Sequence, residues 1–316
     1  MDMAKTELIG GIQRFSTEDG PGIRTTVFFK GCPLKCLWCH NPELLNSTAD
    51  IIYSNQKCIK CGECVANCCT KALRFTGKNA SDDDLLKILI HSNQKCTKCG
   101  RCVANCCTEA LRFTGKNMSD DDLLKILMKD KGFYNETGGG VTFSGGEVTS
   151  QADYAYRLLR KCNEKKLSVA IDTCGYCDIE NLMKLCKFAE VVLFDIKCVD
   201  EHKHKKLTNV SNQLILQNLN RLCEIPEIKE KIIIRLPLIH NINDTEKDLT
   251  EVCRLLIALG LTKVDGLPYH SLGISKSRNL NEEYHEFETP PDTHIDKIIE
   301  LFNKFNIKIN IMGREK

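Results

Sequence analysis

No run of apolar residues in this 316-residue chain approaches the roughly eighteen needed to cross a bilayer, and its start, MDMAKTELIGG, lacks the apolar stretch of a secretory signal. An excess of one charge is also missing. Lysine plus arginine (44) nearly balances aspartate plus glutamate (42), and the net charge of +2 leaves no basic stripe for nucleic acid and no polybasic patch for a membrane surface. These absences exclude a helical membrane anchor and a nucleic-acid-binding role, and the chain is expected to be soluble and cytoplasmic. With 42% hydrophobic and 27% charged residues, disorder is excluded too, and there is enough chain for one large domain plus an insert.

Cysteine is abundant. Twenty residues are too many for an ordinary cytosolic enzyme and too unevenly spread for a secreted disulfide scaffold, so the reading is metal. Thirteen of them fall between Cys32 and Cys107, in three groups. The second and third groups belong to a tandem repeat: residues 54–90 reappear as 92–128, differing only at Ile59/Thr97, Glu63/Arg101, Lys71/Glu109, Ala80/Met118 and Ile90/Met128. Each unit reads as a cysteine-rich turn, a short apolar segment, and then Ser81 or Ser119 capping a helix that opens with three aspartates.

Outside residues 51–128, short β-branched runs alternate with amphipathic stretches. Strands are expected at Thr25–Phe29, Val141–Phe143, Val169–Asp172, Val191–Asp195, Ile232–Leu236 and Lys263–Leu267, and helices near 151–166, 178–188, 212–223, 244–259 and 292–305. The rhythm is α/β, and six strands suit a partial (β/α)6 TIM-like barrel formed by residues 1–50 and 129–316. Polar punctuation falls at the strand C-terminal ends, where such folds gather their chemistry: Gly31-Cys32, Ser144-Gly145-Gly146-Glu147, Asp172-Thr173, Asp195-Ile196-Lys197, Arg235 and Tyr269-His270.

Cys32, Cys36 and Cys39 form a C-x3-C-x2-C run on a loop directly after a strand. As a zinc site it is one ligand short. As an iron–sulfur site, three thiolates hold three irons of a 4Fe–4S cube and leave the fourth open. The insert repeats C-x2-C-x2-C-x3-C at Cys58, Cys61, Cys64, Cys68 and at Cys96, Cys99, Cys102, Cys106, a two-cluster ferredoxin-like spacing in which the fourth cysteine of each run serves the other cluster. One 4Fe–4S centre is thus assigned to Cys58, Cys61, Cys64 and Cys106, the other to Cys96, Cys99, Cys102 and Cys68. Cys69 and Cys107 stand where proline is usual and remain alternative ligands, and the extra helix of the first unit puts the docking of the two turns, and so the cluster number, in question.

Ser16 to Cys32 (STEDGPGIRTTVFFKGC) with Cys39-His40-Asn41-Pro42-Glu43, Gly138–Glu147 (GGGVTFSGGE), Ile171–Tyr176 (IDTCGY), Asp195-Ile196-Lys197 and Leu267-Pro268-Tyr269-His270 resemble, in order and over essentially the whole chain, the glycyl-radical-enzyme activating enzymes of the radical S-adenosylmethionine superfamily. The resemblance implies an oxidoreductase in which S-adenosylmethionine chelates the open iron of the cluster on Cys32, Cys36 and Cys39. It is cleaved reductively, and the 5′-deoxyadenosyl radical takes hydrogen from a glycine in the C-terminal loop of a partner glycyl radical enzyme. It implies that Trp38, His40, Gly145, Gly146, Glu147, Asp172, Thr173, Asp195, Ile196, Lys197, Arg235 and His270 line the cofactor. Within that set, Glu147 would accept from the methionyl ammonium, the glycines would let backbone approach the ligand, and Asp172, Thr173 and Asp195 would hold a monovalent cation. Packing for Trp38, a tight turn for the glycines, an ion pair inside the barrel for Arg235 and an ordinary loop position for His270 are the competing structural readings. Asp19 resembles a residue that meets the partner's glycine loop, but it is equally a turn aspartate and stays outside the set.

A one-electron donor such as flavodoxin or ferredoxin is implied as second partner, with the insert clusters relaying its electron. The insert points to activators of dehydratases, decarboxylases and amine lyases. Residues 144–148, 169–176 and 201–206 most resemble those serving trans-4-hydroxy-L-proline dehydratase, with glycerol-, propanediol- and choline-cleaving systems as alternatives. A radical enzyme acting directly on a small molecule, and an electron-transfer protein without catalysis, are the competing functions. The basic run Glu201–Lys206 reads as a solvated helix start, and the seven remaining cysteines as buried thiols.

Overall fold

The computed structural model describes residues 7–75, 88–90, 95–280 and 283–314. Among them are thirteen strands: β1 (Leu8–Ser16), β2 (Arg24–Phe29), β3 (Ile51–Tyr53), β4 (Leu73–Phe75), β5 (Ile88–Ile90), β6 (Leu111–Phe113), β7 (Lys116–Asn117), β8 (Gly140–Gly145), β9 (Val169–Thr173), β10 (Val191–Asp195), β11 (Ile232–Leu238), β12 (Lys263–Pro268) and β13 (Lys308–Ile311). Nine of these form one sheet in the order β13-β12-β11-β10-β9-β8-β2-β1-β7. From β2 to β13 every neighbouring pair is parallel, while β1 and β7 add an antiparallel edge. The sheet is open, since its two ends are different strands. All six expected strands are present, and β1 and β13 flank them beyond what the periodicity announced. No helix of the described residues is long and apolar enough to cross a membrane.

The strands alternate strictly. Val141 and Phe143, Val169 and Ile171, Val192 and Phe194, and Ile232, Ile234 and Leu236 join one apolar core with the helices Ala152–Glu164, Ile179–Phe188, Gln213–Cys223, Glu246–Leu259 and Asp292–Lys304. The residues between them, Thr142, Ser144, Asp172, Asp195 and Arg235, point to the other face. That face is also largely withdrawn from water; besides the apolar Ala170 and Leu193 it buries polar residues, among them Thr142, Ser144 and Arg235.

The segment between β1 and β2 plugs this polar face. Gly20 lies against Ala170, second residue of β9, and Gly22 against Gly139, just before β8. Arg24, 1% exposed, holds the plug: its guanidinium donates to the Thr142 hydroxyl (2.7 Å) and to the carbonyls of Pro21 (3.1 Å) and Val141 (2.7 Å), while Thr142 donates to the Asp19 carbonyl (2.6 Å). Burial pulls its pKa down to about 10, still well above neutrality, so a full charge is kept inside by fixed acceptors.

Residues 51–128 leave the sheet and return to it. Buried Lys30, just after β2, donates to the Glu43 carbonyl (2.6 Å) and the Thr114 hydroxyl (2.8 Å) and sits 3.6 Å from Asp50, clamping both ends of the insert. The two cysteine turns carry matching short helices, Glu63–Ala66 and Arg101–Ala104, each entered through a left-handed glycine, Gly62 and Gly100. They dock on one another, with Cys64, Cys102, Leu73 and Leu111 making a small shared core. The extra copy therefore does not keep the turns apart.

What it changes is the segment after each turn. In the second unit Ser119 caps helix Asp120–Met128 by accepting from the Asp122 amide, and Leu123 and Leu127 bury beside helix Ala152–Glu164. The equivalent helix of the first unit, with its Ser81 cap, falls mostly outside the described residues, but its last three residues are strand β5, paired antiparallel with β4. Residues 88–90 and their counterparts 126–128 thus differ only at the last position yet take strand in one unit and helix in the other, the helix being the one packed against Ala152–Glu164.

We expect Arg24→Ala to destabilise the chain by about 2–4 kcal/mol, since several buried acceptors lose their donor together. Anaerobic denaturant titration of the two proteins measures it, and a difference below the error of the titration would show that the plug holds itself.

Candidate active site

The loop after β2 carries the first three cysteines, and backbone bonds fix its course independently of any side chain. The Cys32 amide donates to the Leu45 carbonyl (2.9 Å), Lys35 to Thr208 (2.8 Å), Leu37 to Leu207 (3.0 Å) and Cys39 to Cys36 (3.0 Å). Two of these acceptors end helix Glu201–Thr208. On the far side, a Cβ added to Gly273 would meet the Cys39 carbonyl oxygen at 2.4 Å, so helix Leu272–Leu280 lies directly on the loop.

A cavity of 240 Å³ opens between this loop and the strand ends. Cys32, Cys36 and Cys39 line it with Trp38 and His40, and every strand from β8 to β12 contributes: Ser144, Gly145 and Gly146, then Asp172, Asp195, Arg235 and Leu267. Burial pushes all three thiols up, Cys39 to about 12, so none of them ionises at neutral pH without a cation of its own.

The floor of the cavity is charged. Asp172 accepts from the Ser144 hydroxyl (2.7 Å) and lies 3.4 Å from the Arg235 guanidinium, which also approaches Asp19 (3.7 Å) and donates to the Glu18 carbonyl (3.3 Å). Its other oxygen, Oδ1, is buried with no partner. Burial raises the Asp172 pKa to about 7 against the opposing pull of Arg235, while Asp195 pushes further upward. Lys197 pairs with Asp195 at 2.8 Å. Burial opposes its charge, but Asp195 and the Cys36 sulfur outweigh that and hold it protonated. The cation that buried Asp172 and Asp195 require is therefore supplied by the chain itself.

His40 stacks on His270 with centroids 3.8 Å apart, and its Nε2 has no partner. Burial, with His270, Lys276 and Lys197 nearby, lowers its pKa to about 4 and keeps it neutral. His270 lines a second cavity of 240 Å³ on the opposite side of the cysteine loop. Trp38 borders both cavities and packs with Leu207, Ile239 and Tyr269.

Besides His270, three of the expected cofactor contacts, Glu147, Thr173 and Ile196, do not line the cavity. Glu147 is 1% exposed, and its carboxylate is consumed within the fold: Oε1 accepts from the Thr149 amide (3.0 Å), the Thr149 hydroxyl (2.8 Å) and the Thr173 hydroxyl (2.8 Å), and Oε2 from the Cys174 amide (2.7 Å). Thr173 is turned to Glu147 rather than to the cavity, and Ile196 lies in the apolar core. At Gly145, with φ +130°, a Cβ would strike the Phe29 carbonyl at 2.2 Å, and at Gly146 the Gly31 carbonyl at 2.5 Å. The glycines are required first by the crossing of two backbones, although both also border the cavity. Asp19, kept outside the expected set, lies on the cavity wall, its carboxylate accepting from Ser16 and Thr26 (2.6 Å each).

In the insert, Cys64 is pushed up to about 11 by burial and by the neighbouring Cys58 and Cys106, and Cys102 is raised by burial, with Cys96 and Cys68 beside it. Cys68, Cys96, Cys99 and Cys102 line one small cavity. Burial works against ionisation of Cys68 and Cys106, but amides of Leu73, Ala72 and Thr70, and of Leu111, Thr108 and Ala110, more than offset it and hold both thiols below their ordinary range. Cys69 is exposed with its sulfur 3.6 Å from that of Cys99, and Cys107 is exposed. Thiolates around one zinc stand about 3.8 Å apart, and no three of the described cysteines bring their sulfurs within 4.8 Å of one another.

The site is thus a loop of three half-buried cysteines over a charged cavity at the C-terminal ends of a parallel sheet. The profile of the Radical SAM superfamily matches residues 26–256. The chain is 40% identical over 97% of its length and 99% of the relative's to the trans-4-hydroxy-L-proline dehydratase activating enzyme of Clostridioides difficile, and 35% identical over 96% and 97% to the choline trimethylamine-lyase activating enzyme of Oleidesulfovibrio alaskensis. A radical SAM methyltransferase from Sphaerobacter thermophilus shares the fold, with a TM-score of 0.53 at 14% identity over 97% of this chain and 77% of that one. The chain belongs to the radical SAM superfamily and, within it, to the activating enzymes of glycyl radical enzymes.

Asp172 yields a pH prediction. Its folded pKa lies above the unfolded value of 3.8, so between pH 4 and about 7 the unfolded chain has released a proton that the folded chain keeps, and rising pH favours unfolding. We expect the metal-free chain to lose stability across that window and Asp172→Asn to lose less, as read from denaturant midpoints at pH 5 and pH 8.

Proposed function

We propose that Cys32, Cys36 and Cys39 hold a 4Fe–4S cluster and that the cavity beside them takes S-adenosylmethionine, so that a partner enzyme receives a glycyl radical. The observation that carries this is the meeting, in one cavity, of three buried thiols on a backbone-fixed loop with the Asp172/Arg235 and Asp195/Lys197 pairs. The donor set fits the group: buried thiols that require a cation to ionise, sulfurs too far apart for a single ion, and an unpartnered carboxylate oxygen on Asp172. When bound, the cluster and S-adenosylmethionine supply one-electron reductive cleavage and the 5′-deoxyadenosyl radical that removes hydrogen from glycine.

The chain's part is ligation, orientation and exclusion of water. Lys197 and Arg235 present fixed cations to a carboxylate ligand, and Asp172 and Asp195 present acceptors to an ammonium. Neutral His40 and Trp38 wall the cavity without adding charge. Pairing of Asp172 with Arg235 and of Asp195 with Lys197, and the turning of Thr173 to Glu147, argue against a monovalent ion held by Asp172, Thr173 and Asp195.

For the insert, residues 51–128, we propose a ferredoxin-like module with two 4Fe–4S clusters, one on Cys58, Cys61, Cys64 and Cys106, the other on Cys96, Cys99, Cys102 and Cys68. The crossed proximities support the pairing, and the amide cradles of Cys68 and Cys106 favour them over Cys69 and Cys107. Their task is to pass an electron from a flavodoxin- or ferredoxin-like donor. The similarity over nearly the full length of the Clostridioides difficile relative supports trans-4-hydroxy-L-proline dehydratase as the partner.

Anaerobic enzyme mixed with reductant, S-adenosylmethionine and that dehydratase should give the doublet of a glycyl radical in electron paramagnetic resonance. Alanine at Cys32, Cys36 or Cys39 should lower 5′-deoxyadenosine release by at least about a thousandfold. Retained turnover in any of the three variants overturns the cluster assignment. A radical that forms only on a different glycyl radical enzyme overturns the choice of partner alone.

A further inference from the structure

Outside the cavity, one group of side chains has the chemistry and spacing of a metal centre. His240 follows β11, Asp244 ends the same loop just before helix Glu246–Leu259, and His294 stands in the first turn of helix Asp292–Lys304. Asp244 is completely buried, and its Oδ2 lies 2.9 Å from His294 Nε2 and 3.5 Å from His240 Nδ1. The two rings meet edge to face at 4.7 Å. Despite these distances no hydrogen bond joins them, and all three atoms are buried without a hydrogen-bond partner.

Three orphaned polar atoms at one point are costly unless something outside the hydrogen-bond inventory satisfies them. A divalent ion does so. Ligands at about 2.0–2.1 Å from one ion stand about 2.9–3.4 Å apart; the 2.9 Å separation falls in that range and the 3.5 Å one lies just beyond it. The other carboxylate oxygen, Oδ1, accepts from the Asn241 amide (2.8 Å), the kind of outer contact that orients a ligating carboxylate. Among the described residues this is the one group of three or more histidine, cysteine or acidic side chains whose ligand atoms converge within 4.8 Å.

We propose that His240, Asp244 and His294 bind a divalent transition metal, zinc being the natural occupant of two imidazoles and a carboxylate, with water in the remaining position. Calcium and magnesium are disfavoured because they take oxygen ligands. The ion ties the start of helix Asp292–Lys304 to the loop after β11. That loop reaches the active site through Asn243, whose amide donates to the carbonyls of Lys197 (2.9 Å) and Pro237 (2.7 Å) and whose oxygen accepts from the Ile239 amide (2.8 Å). The metal thus acts as a positioning element for the backbone of Lys197.

The test uses cluster-reconstituted protein given one equivalent of zinc chloride anaerobically, desalted, and analysed for metals. About one zinc per chain is expected, with a zinc K-edge spectrum showing only nitrogen and oxygen neighbours near about 2.0–2.1 Å. His240→Ala and His294→Ala should each reduce retained zinc at least about tenfold and leave the iron content unchanged. No retained zinc, a sulfur shell near about 2.3 Å, or retention unaffected by both substitutions would each overturn the proposal. The wild-type spectrum decides even if a variant fails to fold.

Discussion

Everything in this molecule answers to three thiols placed where a thiol cannot ionise unaided. Burial pushes Cys32, Cys36 and Cys39 up, and Glu147 adds to the rise at Cys32. A side chain that expensive to charge is held ready only if the backbone carrying it is fixed beforehand, and here the loop is bonded to Leu45, Leu207 and Thr208 through main-chain groups alone. The platform for two of those bonds, helix Glu201–Thr208, looks in sequence like a solvated charge run. Yet His204, Leu207 and Thr208, spaced i, i+3, i+4, are buried, and His204 Nδ1 lies 2.8 Å from the Val210 carbonyl oxygen. A narrow apolar stripe inside EHKHKKLT was the available signal.

The second constraint is charge balance in the cavity. Asp19, Asp172 and Asp195 face Arg235 and Lys197, all withdrawn from bulk water. Buried pairs of this kind add little net stability, because desolvation cancels much of the attraction. They are better understood as preorganised poles, whose orientation costs nothing further when an ionic ligand arrives. The raised pKa of Asp172 says the same: a carboxylate that ionises reluctantly has unmet demand for a donor.

Much of the sheet and the cysteine loop was legible in sequence, because both leave strong local marks. Short β-branched runs, the middle ones nearly all apolar, located β2 and β8 to β12, and the C-x3-C-x2-C spacing located the loop. Glu147 and Thr173 were not legible as partners of one another. They lie 26 residues apart, and which of two polar residues faces a cavity and which faces a neighbouring turn is settled only by packing. Gly145 and Gly146 fall between: the need for glycine was readable, but its cause, the backbone of Phe29 and Gly31, was not. β1 and β13 escaped because a glycine pair interrupts the first and the second is only four residues long.

The duplicated insert carries this lesson furthest. Its two units are nearly the same in sequence, yet β6 of the second pairs with β3 while its counterpart β4 pairs with β5, and β7 of the second extends the main sheet by pairing with β1. Asp120 and Asp121, in the first turn of helix Asp120–Met128, also reach Arg157 and Lys161. Both units keep the cysteine turn, with its left-handed glycine and its cradle of amides around Cys68 or Cys106. Local sequence therefore determines the turn, where glycine conformation and amide direction act within a few residues. Tertiary opportunity decides the segment that follows: residues 126–128 end a helix packed on Ala152–Glu164, while residues 88–90 pair as a strand with β4.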